Sequence, residues 1–179
     1  MAFKVGMTVV YPHHGAAEIL KKEEKTLRGE TKMYLHLKVV QSELEIWVPE
    51  SSVQEVGVRH VINKDEIRVV VDVLQEDVVE EATNWSRRFK ANAEKIGSGE
   101  IKRVSEVVRD LWMRDKDRGV SAGEKRMLAK SRQILESEFA LALKINHEQA
   151  AQVVELILER KTTAELIITK LSQVLALAA

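Results

Sequence analysis

The nine residues from Lys32 to Val40, KMYLHLKVV, decide the first part of the fold. Met33, Leu35, Leu37 and Val39 alternate with Tyr34, His36 and Lys38, and a period of two belongs to a strand with one buried face. Further along, Leu44, Ile46 and Val48 alternate with Glu43, Glu45 and Trp47, which places Trp47 with the carboxylates and away from the apolar side. A tryptophan exposed on a small β-domain points to a protein contact. Gly15, the Arg28-Gly29 step, the Gln41-Ser42 step and Pro49 punctuate these runs as turns do. Residues 1–62 are therefore expected to form a small, strongly bent β-domain.

The period changes after that. From Lys64, the residues Ile67, Val70, Val71 and Leu74 fall at helical spacing, and QEDVVEEA then reads as a connector, so residues 63–82 hold an acidic helix and a domain boundary. Residues 83–179 read as helix throughout. Thr83 or Asn84 can cap the first helix and the glycines at Gly97 and Gly99 end it; Ile101, Val104, Val108, Leu111 and Trp112 stripe the second, which Gly119 stops. Ser121 to Glu124 is a capping box opening a third, with Met127, Leu128, Ser131, Ile134, Leu135 and Phe139 on its buried side. Asn146 caps a further run in which Val153, Val154, Ile157, Leu158, Ile167, Ile168, Leu171, Val174 and Leu175 keep helical spacing. Such a tail packs on its own domain or on another chain, and the first is the expectation. The fold class is α+β with two domains, a bent β-domain followed by an all-helical one.

With 179 residues, 45% hydrophobic and 31% charged, the chain can bury a core in either domain. It has no cysteine, which excludes disulfides and thiolate chemistry and fits a reducing, cytoplasmic setting. The opening MAFKVGMTVVYPHHG lacks a basic segment followed by a long apolar run, and no stretch approaches the roughly 18 to 20 apolar residues that span a bilayer. Neither secretion nor membrane insertion is indicated. The net charge of zero conceals an asymmetry: residues 63–81 carry two basic and seven acidic side chains, whereas residues 82–133 carry fourteen basic and seven acidic. A local excess of that size can bind a phosphate backbone by releasing counterions, or can simply solvate a helical surface.

Catalysis has little to stand on. The histidines fall at 13, 14, 36, 60 and 147, and the adjacent pair His13-His14 lacks the helical spacing and flanking carboxylates of a metal site. The segments GSGE and SAGE are too short to cradle phosphates and serve as helix punctuation. No cofactor or metal is expected. The stretch Thr83 to Asn92, TNWSRRFKAN, sets Trp85 before Arg87, Arg88 and Lys90 at a helix start. On an ideal helix Trp85, Phe89, Asn92 and Ile96 share one side, so Trp85 either begins an apolar stripe or overhangs it. In the second case its ring can stack on a base while the neighbouring cations hold phosphates.

The stretches FKVGMTVVYPHHGAA, GVRHVI, TNWSRRFKAN, EVVRDLW and VSAGEKRMLAKSRQIL together resemble the CarD family of bacterial transcription regulators, over Phe3 to about Leu143. The resemblance implies a Tudor-like β-domain, similar to the polymerase-binding module of transcription-repair coupling factors, that binds the RNA polymerase β subunit. It implies a helical domain at the upstream edge of the promoter bubble, where a Trp wedges into the minor groove. Trp85 matches that wedge, and Arg87 and Lys90 match its backbone contacts, with Arg88 counted beside them among the DNA-binding residues. The polymerase-facing edge maps to Lys25 and Trp47, where familiar members often carry Arg, with Glu45 beside them. Further expectations are a non-enzymatic monomer, held near the nucleoid by polymerase, that stabilises the open promoter complex. A protein-interaction adaptor with an oligomerising helical tail is the alternative, and an enzyme would need a polar pocket that the sequence does not display.

Overall fold

The structure, a computed structural model, describes residues 3–177 apart from His13, Arg28, Gln41, Gln54 and residues 78–83. The chain divides into two compact units, residues 1–61 and residues 62–179.

The first unit is an antiparallel sheet of β1 (Thr8–Tyr11), β2 (Gly15–Leu27), β3 (Glu30–Val39), β4 (Glu45–Pro49) and β5 (Arg59–His60), in the order β4-β3-β2-β1-β5. β2 is long because it serves two neighbours: its start pairs with β1 and its remainder with β3. The register slips between Ile19 and Lys21, and such a bulge bends the strand and lets one sheet curl around a small core. That core is Val9, Ala17, Ile19, Leu35, Leu37, Val48, Val53 and Val58. The hairpin joining β2 to β3 turns at Gly29, whose φ of 84° a residue with a Cβ rarely adopts.

The alternation in β3 holds for Leu35, Leu37 and Val39 but not for Met33, which is 37% exposed. Met33 pairs with Glu24, beyond the bulge, where the hairpin has run past the core. Tyr34 and His36, expected to face solvent, are buried. Leu44 is exposed because it precedes β4 and lies outside the alternating run.

The second unit is helical: α1 (Lys64–Gln75), α2 (Trp85–Gly97), α3 (Ile101–Asp117), α4 (Ala122–Leu143), α5 (His147–Leu158), α6 (Ala164–Thr169) and α7 (Leu171–Ala176). Asn63 caps α1 with Glu66 completing a capping box, and Asn146 does the same for α5 with Gln149. The expected stripe Ile67, Val70, Val71 and Leu74 of α1 is buried against Val108 of α3, Leu135 and Phe139 of α4, and Val153, Val154 and Ile157 of α5. A smaller cluster of Ile96, Val104, Val107, Leu111 and Ile134 seats α2 on α3 and α4.

The tail is not one run. It breaks after α5 at Arg160, a non-glycine residue with a φ of 57°, and restarts where the Thr163 hydroxyl accepts from the Leu166 N–H. Neither glycine nor proline announces that break. Ile167 and Val174 are buried in the main helical core, so the tail packs on its own domain, as expected. Among the described residues no helix is long and apolar enough to cross a membrane.

Candidate functional site

α2 starts where its first polar side chain can cap it. Asn84 is extended (φ −77°, ψ 119°) and its Oδ1 accepts from the Arg87 N–H at 3.2 Å, so Trp85 is the first helical residue. Thr83, the other cap considered, lies outside the described residues. Beneath Trp85 the stripe is real: Asn92 and Ile96 are buried and Phe89 half-buried. Trp85 itself overhangs that stripe, 48% exposed, and is not a core residue.

Three contacts hold the indole. Its ring stacks on Phe89 with centroids 5.2 Å apart and planes at 29°. Its Nε1–H donates to the Ser121 Oγ at 3.1 Å. Its Cζ2 edge lies by Gly123 in the first turn of α4, where an added Cβ would stand 3.4 Å from the Phe89 ring and 3.9 Å from Trp85, at ordinary van der Waals distance.

The cations separate into two kinds. Arg87 and Lys90, about one helical turn apart on α2, are exposed, and so are Lys125 and Arg126 near the start of α4. Arg88, grouped with Arg87 and Lys90 on the sequence, is different: it is 5% exposed. Its Nε and Nη2 donate to Glu124 Oε1 at 2.9 and 2.7 Å, and Glu124 is 2% exposed. A guanidinium turned inward onto a buried carboxylate is not presented to a phosphate, which corrects the grouping.

Glu124 closes a circuit. Its Oε2 accepts from the Ser121 N–H at 3.0 Å and from the Ser121 hydroxyl at 2.8 Å. Its own N–H donates to the Ser121 Oγ at 3.2 Å. Burial pushes the Glu124 carboxyl up, but the hydrogen bonds from Ser121 and Arg88 outweigh it and hold the group below the ordinary carboxylate value. The capping box was legible in the sequence; its connection to both Trp85 and Arg88 was not.

In the β-domain, Lys25, Glu45 and Trp47 converge around a residue the pattern reading set aside. Trp47 stacks flat on His36, with centroids 4.0 Å apart and planes at 7°, and the Lys25 Nζ stands 2.9 Å from the centre of the indole. The His36 Nε2 donates to Glu45 Oε2 at 2.8 Å. Trp47 is thus half-buried in a stack rather than fully exposed on its strand. The register explains it, because His36 lies directly opposite Trp47 and a non-apolar strand face closes over itself when a flat imidazole meets a flat indole. Among the described residues no group of histidine and carboxylate side chains could hold a metal ion.

Two family models match the chain: the CarD-like/TRCF RID domain over residues 3–62 and the CarD C-terminal domain over residues 69–155. The chain is also similar to the candidate transcription factor YdeB of Bacillus subtilis (strain 168). The two are 31% identical over 147 residues, which cover 82% of this chain and 96% of that one.

Proposed function

This chain belongs to the CarD family of transcription factors, and from that premise we propose that it joins RNA polymerase through its β-domain and stabilises the open promoter complex through its helical domain. The β subunit is the polymerase partner and the Lys25, Glu45 and Trp47 surface is the contact. The DNA partner is the promoter at the upstream edge of the bubble, entered from the minor groove by Trp85. Arg87 and Lys90 hold the backbone on either side.

The half-exposed indole of Trp85 at a helix start, with exposed Arg87 and Lys90 following on the same helix, supports this most. A ring so placed can stack on an unpaired base, whereas a fully buried one could not. The mechanism is a tether plus a wedge. Anchoring on polymerase raises the effective concentration of a weak DNA-binding surface at one place on every promoter, so base readout is unnecessary. Stacking by Trp85 favours only the melted state and biases the equilibrium between closed and open complexes.

The burial of Ile167 and Val174 in their own domain favours a monomer over an adaptor that oligomerises through its tail. The protein then acts without catalysis, in the compartment where polymerase works. The test is the lifetime of the open complex on one promoter at fixed salt, with and without the protein. A longer lifetime is expected, and an unchanged one rejects the function.

A further inference from the structure

We propose that Ser121 is the positioning residue for Trp85, and that the buried Arg88–Glu124 pair exists to orient its hydroxyl. The inference rests on the wedge reading of Trp85 and deepens it.

A serine hydroxyl has one proton and two acceptor sites, and an indole N–H can only donate. Ser121 can therefore hold Trp85 only if its own proton points elsewhere. It does: the proton goes to Glu124 Oε2 at 2.8 Å, and the two acceptor sites take the Glu124 N–H at 3.2 Å and the Trp85 Nε1–H at 3.1 Å. Every valence of the hydroxyl is used, and its direction is fixed by whether Glu124 is an acceptor.

Glu124 stays an acceptor because of what stands behind it. One of its oxygens takes both Ser121 donors and the other takes both Arg88 donors. Its carboxyl is held below its ordinary value despite burial, so it is ionised at neutral pH. The path runs from Arg88 on α2 to Glu124 on α4, back to Ser121 at the start of α4, and across to Trp85 at the start of α2. Both steps along a helix span three residues, the spacing at which side chains share a face. The loop thus pins the first turn of α2 to the first turn of α4 at the one place where an exposed ring must keep its direction.

That fixing matters for a wedge. An exposed tryptophan free to change rotamer loses part of its stacking energy to ordering, and a ring already held on Phe89 and Ser121 does not.

Ser121 also caps α4, so the test must separate capping from positioning. Glycine caps a helix nearly as well as serine but has no hydroxyl, and threonine keeps both functions. The full-length Ser121→Gly and Ser121→Thr variants are compared with wild type for the indole Nε1–H resonance of Trp85, assigned by its loss in Trp85→Phe, and for open-complex lifetime. Expected are a shifted, faster-exchanging indole proton and a lifetime gain reduced about two- to tenfold in Ser121→Gly, the range one hydrogen bond commands. Ser121→Thr restores both. An unmoved indole resonance with an unchanged lifetime in Ser121→Gly, while Trp85→Ala shortens that lifetime, overturns the inference and leaves the wedge standing. If Trp85→Ala itself has no effect on lifetime, the wedge and its positioning fall together.

Discussion

Replacing Arg88 with alanine tests whether this buried guanidinium serves the fold while the exposed Arg87 and Lys90 serve the proposed DNA contact. Arg88 is 5% exposed and gives two hydrogen bonds to Glu124, which is 2% exposed. Without the guanidinium, Glu124 keeps the N–H and hydroxyl of Ser121 but loses its counter-charge. Breaking a buried pair from one side costs about 3 to 5 kcal/mol, and the surviving Ser121 bonds place this case at about 3 kcal/mol. The cost depends on pH with a definite sign. The folded Glu124 carboxyl lies below its ordinary value of 4.5, so it contributes stability above that value which is lost as the pH falls through the folded one. In Arg88→Ala burial is opposed by Ser121 alone, so Glu124 takes up a proton more readily. The gap between wild type and variant is widest near pH 7 and narrows below about pH 4.5. Urea unfolding of the full chain, followed by helical circular dichroism at both pH values, measures it. Arg87→Ala, on the exposed face, should stay within about 0.5 kcal/mol of wild type. An Arg88→Ala protein as stable as wild type, yet as weak on DNA as Arg87→Ala, would show the guanidinium reaching phosphate and would refute the reasoning.

Trp47→Ala should weaken binding to the isolated polymerase β subunit by more than about 1 kcal/mol in a direct binding assay. A large loss of folding stability with unchanged affinity would instead make Trp47 a structural prop for His36. If Arg87 neutralises one phosphate, Arg87→Ala should lower the slope of log DNA affinity against log salt by about 0.9, and an unaltered slope would remove it from the contact. Ile167→Ala should cost about 2 to 5 kcal/mol of stability at the helical transition, since Ile167 is 1% exposed. A melting temperature that depends on protein concentration in wild type, with Ile167→Ala neutral, would return the tail to the role of an oligomerising segment.

Residues whose environment is set by their near neighbours were legible in the sequence. Ser121 and Asn146 cap helices because the donors they satisfy lie three residues away. The stripes of α1, α3 and α4 followed from period alone, although α3 and α4 divide theirs between two clusters, with Val108, Leu135 and Phe139 in one and Val104, Leu111 and Ile134 in the other. What escaped depends on partners far along the chain. Arg88 and Arg87 are adjacent in sequence, but only the packing of α4 on α2 brings Glu124 to one of them and turns it inward. Trp47 reads as exposed until β3 sets His36 opposite it and β2 brings Lys25 over its other side. Met33 fits its alternation and still misses the core, because the bulge after Ile19 lies elsewhere on the partner strand. The break at Arg160 carries neither glycine nor proline: backbone bonds close its left-handed turn, the Lys161 N–H donating to the Leu156 carbonyl at 2.8 Å, and only Thr163, the cap of α6, marks the restart.

The central claim is that Trp85 stabilises the melted promoter by stacking, and the comparison of wild type, Trp85→Phe and Trp85→Ala in open-complex lifetime, with polymerase binding measured alongside, tests it most directly. Because Trp85 is 48% exposed, its removal opens no closed cavity and should cost less than the roughly 3 to 5 kcal/mol of a buried aromatic, leaving the protein folded and bound to polymerase. A stacked base is worth about 1 to 3 kcal/mol, so Trp85→Ala should cut the lifetime gain by about five- to 150-fold, with Trp85→Phe between the two. A Trp85→Ala protein that is folded, bound to polymerase and fully able to prolong the open complex would contradict the account.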